Sequence, residues 1–287
     1  MKKIFSVILA LCLLASLCVP VFAESSRGTL ITLGDSIAEG YGIMNSDEAG
    51  YGRIVADTDG YAYENFARTA TDSAELLDRL QNWREWSYYR NVFARATVIC
   101  LSIGSNDYFD NDDVYKLAVG AFFGVNGKKL DAIADAYYEN LCAIIDILHE
   151  MSPDATILLQ KVYCVWYGIS AHIFKACQTR VNDVIDRYDA AHPGAAVVCD
   201  ISPAMDRKPE NLADDCVHPN AAGNVAIARV VLQKLCELGL GTETEPVVNV
   251  PGEDYNFYVE YMENKTLAKF LTVLIKILTG NVKNLGR

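Results

Sequence analysis

The sequence predicts an α/β fold in which a parallel sheet of five strands is covered by helices on both faces. Short runs rich in β-branched residues alternate with longer segments of helical periodicity. The clearest run, Thr97–Ile103, is apolar throughout, as expected for a strand buried on both faces of a parallel sheet. Ligands of such sheets bind at the carboxyl ends of the strands, so functional residues are expected there.

The predicted elements follow one another from residue 29 to residue 238. Strands are predicted at Thr29–Leu33, Tyr61–Asn65, Thr97–Ile103, Thr156–Val162 and Ala195–Cys199. Helices are predicted at Thr71–Tyr89, Ile133–Met151, Ile173–Ala191 and Asn220–Leu238. Pro153 and Pro193 each follow a helical segment, where a residue that cannot continue a helix is expected.

The composition indicates a folded globular protein. The 287 residues include 51% hydrophobic and 22% charged residues, which supports a buried core and argues against a wholly disordered or collagen-like chain. The formal net charge is −12, and this acidic balance argues against binding of duplex nucleic acid, which requires a basic surface.

The first 23 residues are predicted to be a secretory signal peptide. Lys2 and Lys3 precede an apolar run that ends at Ala23 with small residues at the −3 and −1 positions. The alternative is a membrane anchor, which Pro20 and the polar residues after Ala23 make the weaker interpretation. We therefore expect cleavage after Ala23 and a secreted or cell-surface protein.

The cysteine pattern indicates neither a metal site nor a disulfide framework. Seven of the cysteines follow the signal segment, without a CxxC pair or a zinc-binding spacing: Cys100, Cys142, Cys164, Cys177, Cys199, Cys216 and Cys236. Most lie in apolar runs, where cysteine usually serves as a small buried hydrophobe. No disulfide and no metal are therefore assigned.

The first candidate functional segment is Gly34-Asp35-Ser36-Ile37, directly after the first predicted strand. A serine at a strand-to-helix turn has an exposed hydroxyl and a backbone N–H that is free to donate. Taken alone, the segment is equally well explained as a helix N-cap, because Gly, Asp and Ser are common in turns.

The second segment, Gly104-Ser105-Asn106-Asp107, follows the third predicted strand. The amide of Asn106 can donate to an oxygen that gains negative charge during a reaction. The alternative is an Asx turn, which would be the preferred interpretation if the other segments were absent.

The third segment is Asp215-Cys216-Val217-His218. An acidic residue three positions before a histidine, on a turn, can accept a hydrogen bond from one ring nitrogen. The other nitrogen is then free to take a proton from a nucleophile. Among the histidines of the chain, only His218 has a carboxylate at this spacing on a predicted turn.

Together the three segments resemble the sequence blocks of the GDSL, or SGNH, hydrolases. Gly34-Asp35-Ser36-Ile37 is similar to the first block, with isoleucine in place of the usual leucine. Gly104-Ser105-Asn106-Asp107 is similar to the block that supplies the family's asparagine, and Asp215 with His218 matches the final block. The resemblance covers about residues 28–240.

The resemblance implies a flavodoxin-like three-layer α/β/α sandwich and hydrolysis of esters without a cofactor. It implies that Ser36 is the nucleophile and that His218 and Asp215 complete the catalytic triad. It also implies that the backbone N–H groups of Ser36 and Ala70 and the side chain of Asn106 bind the oxyanion.

One block departs from the family pattern. The family has a glycine where this chain has Ala70, within residues 65–71. Alanine retains the backbone N–H, but its methyl group could crowd the site or oppose a positive φ. Ala67 and Thr69 therefore remain alternatives for the third oxyanion donor.

Aromatic residues suggest where a substrate binds. Trp166 and Tyr167 follow the fourth predicted strand, on the same edge of the sheet as Ser36, and Tyr108 follows the second segment. Residues 108–130 are predicted to form either a lid over the site or a packed helix. A cluster from Trp83 to Arg90 is consistent with a sugar-stacking surface or, preferably, with packing of a helix.

The end of the chain differs in composition from the rest. Residues 241–253 are polar and contain prolines, which suggests a linker to a tail of residues 254–287. Within the tail, residues 265–283 predict a mainly apolar helix with a stripe of lysines. Such a helix docks on the domain, contacts an anionic membrane or cell envelope, or self-associates.

Three functions are consistent with these observations. The preferred one is a secreted carboxylic-ester hydrolase acting on small acyl esters or acetylated carbohydrate. The second is a membrane-associated lipase or lysophospholipase held by the basic tail. The third is a non-catalytic surface-binding protein on the same scaffold, which the intact Ser36, Asp215 and His218 argue against.

Overall fold

The computed structural model describes residues 27–109, 127–165 and 168–257 of the chain. Within these ranges, five parallel strands form one sheet in the order β2-β1-β3-β4-β5. The strands are β1 (Thr29–Gly34), β2 (Ala62–Asn65), β3 (Ala96–Ser102), β4 (Thr156–Lys161) and β5 (Val197–Asp200). The predicted parallel α/β fold is confirmed, with strand ends shifted by one or two residues.

The strands alternate with helices along the described chain. The helices are α1 (Ser36–Glu39), α2 (Ser46–Ala49), α3 (Tyr51–Asp59), α4 (Ser73–Trp83), α5 (Ser87–Phe93), α6 (Asn106–Phe109), α7 (Gly127–Met151), α8 (Gly168–Ala191), α9 (Ser202–Met205) and α10 (Ala221–Glu237). A single 3₁₀ turn, Pro209–Asn211, lies between α9 and α10 in this part of the chain.

Two buried clusters, one on each face of the sheet, make the three layers. Alternate side chains of a strand point to opposite faces. Ile31 and Ile99 pack in the cluster with α4, α7 and α8, whereas Leu30 and Val98 pack in the cluster with α3 and α10. The central strands β1, β3 and β4 are largely buried on both sides, which explains why their sequences are mainly apolar.

The predicted helix Thr71–Tyr89 is two helices in the structure. The first begins after Asp72, whose side chain caps it through the N–H of Glu75, and ends at Trp83. The second begins at Ser87, so that the Tyr89 ring stacks on the Trp83 ring at a centroid distance of 4.7 Å. The stacked rings therefore stabilise the break between the two helices. The sequence between them contains no glycine or proline that would indicate the break.

Residues 241–257 lie along the domain and do not lead away from it as a free linker would. The N–H of Thr242 donates to the Asp59 carboxylate at 2.9 Å, and the N–H of Val247 donates to the Thr58 hydroxyl at 2.9 Å. In both bonds the segment donates from its backbone, and the acceptor is a side chain of α3. The segment ends at Phe257, which is only 2% exposed.

Several predictions concern residues outside the described ranges. The signal segment 1–23, most of the 108–130 segment, Trp166, Tyr167 and the lysine-striped segment 265–283 belong to this group. Within the described residues, none of the helices has the length and apolar character needed to cross a bilayer. No disulfide joins the seven cysteines of the same ranges.

Candidate active site

The turn that carries Ser36, the predicted nucleophile, is fixed by the close approach of β1 and β3 and is here called the nucleophile turn. Gly34 has a φ of +122°, and a Cβ atom at this position would lie 1.8 Å from the carbonyl oxygen of Ser102. Only glycine therefore fits directly before the Asp35-Ser36 pair. Asp35 then caps α1 by accepting from the N–H of Ile37 at 3.0 Å, which makes Ser36 the first residue of the helix.

The histidine turn is organised by Asp215. One carboxylate oxygen of Asp215 accepts from the backbone N–H groups of Val217 at 2.9 Å and of His218 at 3.1 Å. The other oxygen lies 2.6 Å from Nδ1 of His218. Because Asp215 is buried and accepts from Nδ1–H, the Nε2 atom of the neutral ring is left as the acceptor.

The structure brings these two turns together. Nε2 of His218 lies 2.9 Å from Oγ of Ser36, although the two residues are far apart in the chain. Ser36 follows β1, which lies between β2 and β3 in the sheet. The chain adds β2 on one side of β1 and the later strands on the other, so the strand order changes direction at this point. This is where parallel α/β sheets bind ligands. The arrangement can transfer the hydroxyl proton of Ser36 to an imidazole oriented by a carboxylate.

Asn106 occupies the first position of α6, beside the nucleophile turn. Its Nδ2 atom donates to the carbonyl oxygen of Thr71 at 3.0 Å. An amide nitrogen carries two hydrogens, so one remains for another acceptor. The neighbouring Asp107 accepts from the N–H and the hydroxyl of Ser73, the first residue of α4. Asn106 and Asp107 thus join α6 to the end of the loop that follows β2 and to the start of α4.

Ala70 lies in a turn of the loop after β2. Its φ is +64°, in the left-handed region that favours glycine. The turn is closed by the N–H of Thr71, which donates to the carbonyl of Arg68 at 3.2 Å, and a positive φ at the third position is what a type II turn requires. The carboxylate of Glu39 holds the turn by accepting from both the N–H and the hydroxyl of Thr69.

The alternative donors near Ala70 are already used. The N–H of Thr69 donates to Glu39, and the N–H of Ala67 donates to Asn65 Oδ1 at 3.1 Å. By contrast, the N–H of Ala70 takes part in no hydrogen bond with the described residues. Of the three candidates for a backbone donor, Ala70 is therefore the one with a hydrogen available.

Asp35 is a buried carboxyl group next to the nucleophile. Burial raises the pKa of Asp35 from 3.8 to about 6, and hydrogen bonds from the Ile37 N–H and the Ser102 hydroxyl oppose this rise. One carboxyl oxygen, Oδ2, has no hydrogen-bond partner among the described residues. Asp35 thus supports α1 at an electrostatic cost that depends on pH.

Ser36, Asn106 and His218 line a pocket of about 200 Å³. Much of its wall is apolar and comes from the strand-end loops: Ile37, Phe109, Val162, Val165, Ile201 and Val217. A pocket with a nucleophile, polar donors and apolar walls can hold the acyl part of an ester while its carbonyl carbon faces the serine.

Tyr108 lies in a different place from the one predicted, whereas the aromatic cluster around Trp83 packs as expected. Tyr108 is fully buried and donates from its hydroxyl to the carbonyl of Leu130 at 3.1 Å, so it belongs to the core and does not line the pocket. The Trp83 ring packs on Tyr89, as the preferred interpretation of that cluster expected. The Trp83 ring also packs on Phe66, and neither Trp83 nor Tyr89 lines the pocket that contains Ser36.

The sequence prediction missed two rings that contact the histidine. Tyr41 meets the His218 ring edge to face at 4.9 Å, and Phe257 stacks on it at 5.5 Å. Tyr41 lies between Gly40 and Gly42, shortly after Ser36. This glycine-rich stretch was the sequence signal that could have indicated a place near the site. Phe257 follows the segment assigned as a linker, where no sequence pattern pointed to the site.

Comparisons with known proteins identify a family that matches most of the chain. A family model described as GDSL-like lipase/acylhydrolase matches residues 32–226. That range contains all three segments that carry the predicted chemistry. No curated protein matches the chain significantly.

Solved structures share the fold at low sequence identity. The lipase Lip_vut3 from a goat rumen metagenome is 18% identical, with a TM-score of 0.57 over 74% of this chain and 98% of the other. Phospholipase A1 from Streptomyces albidoflavus is 16% identical, with a TM-score of 0.53 over 72% and 99%. The acetylxylan esterase Axe2 from Geobacillus stearothermophilus is 17% identical, with a TM-score of 0.52 over 77% and 98%.

Proposed function

The chain belongs to the GDSL-like lipase/acylhydrolase family, and we propose that it is a secreted serine esterase that forms an acyl-enzyme on Ser36. The observation that carries the proposal is the continuous relay from Ser36 Oγ to His218 Nε2, at 2.9 Å, and from His218 Nδ1 to Asp215, at 2.6 Å. A nucleophile, a base and a group that orients the base are the parts that acyl transfer requires.

The first half of the reaction forms the acyl-enzyme. His218 takes the Ser36 proton as the Ser36 oxygen attacks the ester carbonyl carbon, and Asp215 stabilises the imidazolium that results. The C–O bond to the alcohol then breaks, and His218 gives its proton to the leaving oxygen. In the second half, His218 activates a water molecule, which releases the acid and restores Ser36.

Three donors are assigned to the oxyanion: the N–H of Ser36, the N–H of Ala70 and the Asn106 amide. The Ser36 N–H is available because the first N–H groups of a helix have no partner within it. The Asn106 amide keeps one hydrogen beyond its bond to Thr71. Each donor of this kind typically lowers the barrier by about 2.7–4 kcal/mol.

The proposed substrates are esters of small acyl groups, including acetylated carbohydrate. The apolar walls of the pocket beside Ser36 suit an acyl group, and its volume of about 200 Å³ suits a short one better than a long fatty-acid chain. Proteins of the same fold act as esterases on acetylated xylan and as lipases. The alcohol part of the ester is left open by these contacts.

The test is hydrolysis of a panel of p-nitrophenyl esters from acetyl to palmitoyl, together with acetylated xylan. We expect turnover that is highest for the short acyl chains and that Ser36→Ala abolishes while the fold is retained. Ser87→Ala, an exposed serine at the start of α5, is the matched control and should keep wild-type turnover. Absence of turnover in the wild-type protein would favour the non-catalytic scaffold.

Secretion is proposed from the signal segment and is tested separately. Expressed with its own first 23 residues in a bacterial host, the protein should leave the cytoplasm and begin at Glu24. Amino-terminal sequencing of the exported protein would show this residue. A product that keeps residues 1–23 and stays with the membrane would support the anchor instead.

A membrane-associated lipase is the second candidate, and one observation favours it. Phe257, the last described residue, contacts His218, so the chain continues from a point beside the site. Lys265, the first residue of the lysine stripe, follows Phe257 by eight residues in the sequence.

The membrane hypothesis is tested with anionic phospholipid vesicles. It predicts that the full chain sediments with them and that neutral substitutions at the stripe lysines Lys265, Lys269, Lys276 and Lys283 release it. It also predicts faster hydrolysis of long-chain esters in vesicles. Equal binding of both proteins, or no binding, would leave the small-ester hydrolase as the function.

A further inference from the structure

Residues 253–257, here called the C-terminal strap, join the loop after α1 to the loop that carries His218. On the first side, the N–H of Met44 donates to the carbonyl of Glu253 at 2.7 Å, and the N–H of Tyr255 donates to the carbonyl of Gly42 at 3.0 Å. These bonds make a short antiparallel pairing between the strap and the loop that follows Ser36.

On the second side, the strap is bound to the histidine loop and to α10. Asp254 accepts from the N–H of Ala221, the first residue of α10, at 2.8 Å. The N–H of Phe257 donates to the carboxylate of Asp214, next to the triad aspartate, at 3.1 Å. The strap therefore bridges the two loops whose separation sets the distance from Ser36 to His218.

The strap places an aromatic ring on the catalytic imidazole. The Phe257 ring lies parallel to the His218 ring, at 5.5 Å and an interplanar angle of 20°. Tyr41 packs against the same histidine edge to face, at 84°, and also contacts Phe257 at 5.5 Å. The His218 side chain is left with only 16% of its surface exposed.

We propose that Phe257 is a positioning residue that holds the His218 ring in the plane needed for proton transfer, an inference that rests on the proposed esterase function. Asp215 holds only one edge of the ring, through Nδ1. A histidine held at one edge can still rotate away from Ser36, whereas a ring packed on its face opposes that rotation. Offset-stacked rings supply this restraint without blocking either nitrogen.

The strap lies outside the part of the chain that the family model matches. The match ends at residue 226, within α10, whereas Phe257 is reached only after the segment that runs along the domain. The contact with His218 is thus made by a residue beyond the matched range, whereas Ser36, Asp215 and His218 lie within it.

The test compares Phe257→Ala and Phe257→Tyr in the full-length chain, with p-nitrophenyl acetate as the substrate. We expect Phe257→Ala to lower kcat by about tenfold, which corresponds to loss of one aromatic pair, and to change KM by less than about twofold. Phe257→Tyr keeps the stacked face and should restore kcat to near the wild-type value. A small fluorophosphonate should label Ser36 in Phe257→Ala more slowly by the same factor.

Tyr188→Ala is the matched control. Tyr188 is also 2% exposed and stacks on a histidine, His192, at 4.5 Å and 21°, but this pair lies at the end of α8 that is remote from Ser36. Tyr188→Ala should lower the melting temperature. Its kcat should equal the wild-type value when both proteins are assayed well below the melting temperature of the variant. The comparison separates loss of a buried ring from loss of the contact with His218.

Three results would overturn the inference. One is wild-type labelling and kcat in Phe257→Ala. Another is a rise in KM alone, which would make Phe257 a substrate contact. A third is failure of Phe257→Tyr to restore a lowered kcat. In each case the wild-type protein still hydrolyses the ester, whereas a wild-type protein that neither reacts with the fluorophosphonate nor hydrolyses any ester would refute the esterase function itself.

Discussion

The corner of the site that carries Ser36 and His218 and the turn that carries Ala70 are held by different kinds of contacts. At the first corner, each group has a specific partner at hydrogen-bond distance, from Asp215 to His218 and on to Ser36. At the second, the donor is a backbone N–H on a residue with a φ of +64°, and the turn is held mainly by Glu39.

The difference shows which parts of the site tolerate substitution. The relay at the first corner depends on three side chains, a hydroxyl, an imidazole and a carboxylate, so a substitution that removes one of these groups breaks it. The second corner offers a backbone N–H, which every residue except proline has. Alanine can therefore replace glycine there if the contacts of the turn stabilise the positive φ. The following predictions test this contrast.

The largest effect is expected for Asp215→Asn. An amide cannot stabilise the imidazolium and favours the wrong tautomer of His218, so kcat for p-nitrophenyl acetate should fall by about 10⁴-fold with the fold retained. Circular dichroism and the melting temperature check the fold. Asp154→Asn, in an exposed turn before β4, is the control, and a similar loss in that variant would contradict a specific role for Asp215.

A second prediction concerns the stability of the first corner against pH. Since burial raises the pKa of Asp35 from 3.8 to about 6, the folded chain takes up this proton more readily than the unfolded chain. Protonation of Asp35 therefore contributes fully to stability below about pH 4, and this contribution is lost as the pH rises through 6. The free energy of unfolding should fall by up to about 3 kcal/mol over this range.

Urea unfolding between pH 4 and pH 7 measures this effect against Asp35→Asn. The variant keeps an oxygen that can cap α1 but has no charge to bury, so its stability should fall less over this range. Burial also raises the pKa of Asp107 to about 6, so the variant should retain part of the pH dependence. Identical pH dependence in both proteins would show that Asp35 is not buried as described.

At the second corner, Glu39→Ala should lower kcat by about tenfold. The substitution removes both hydrogen bonds to Thr69, so the turn and its Ala70 N–H are no longer fixed, and part of one oxyanion interaction is lost. Glu39→Gln still presents an oxygen acceptor and should recover most of the activity. Equal activity in Glu39→Ala and the wild type would mean that the turn does not contribute to the oxyanion site.

The smallest effect is expected for Ala70→Gly. Glycine adopts the positive φ of this position without the steric strain that alanine has there. We expect the free energy of unfolding to rise by about 0.5–1 kcal/mol and kcat to change by less than about twofold. Ala67→Gly, in the same loop but without a positive φ, should instead lower stability by about 0.5 kcal/mol. Urea unfolding of the two variants distinguishes them, and destabilisation by both would contradict strain at Ala70.

The sheet and the juxtaposition of Ser36, His218 and Asp215 were predictable because their signals are local in sequence. Apolar runs marked the strands, and Ser36, Asn106 and His218 each lie in a short motif at a loop. The left-handed conformation of Ala70 was raised as an expectation only through the resemblance, since alanine itself gives no sign of a positive φ. Its conformation is imposed by contacts such as the one between Glu39 and Thr69.

The strap and the helix break were not predictable for a common reason. Residues 241–257 bind the domain mainly through backbone and short polar side chains, as at Thr242 and Val247, and such contacts leave no hydrophobic periodicity. The break after Trp83 depends on a ring that returns from the next helix. Both are tertiary contacts between residues whose local propensities are neutral.

The central claim is that Ser36 is a nucleophile activated by His218. The most direct measurement is peptide mapping by mass spectrometry after reaction of the full chain with a small fluorophosphonate. We predict a single phosphonylated residue, Ser36, and much slower labelling in His218→Ala. Labelling at another residue, or labelling of Ser36 at the same rate without the imidazole, would contradict the account.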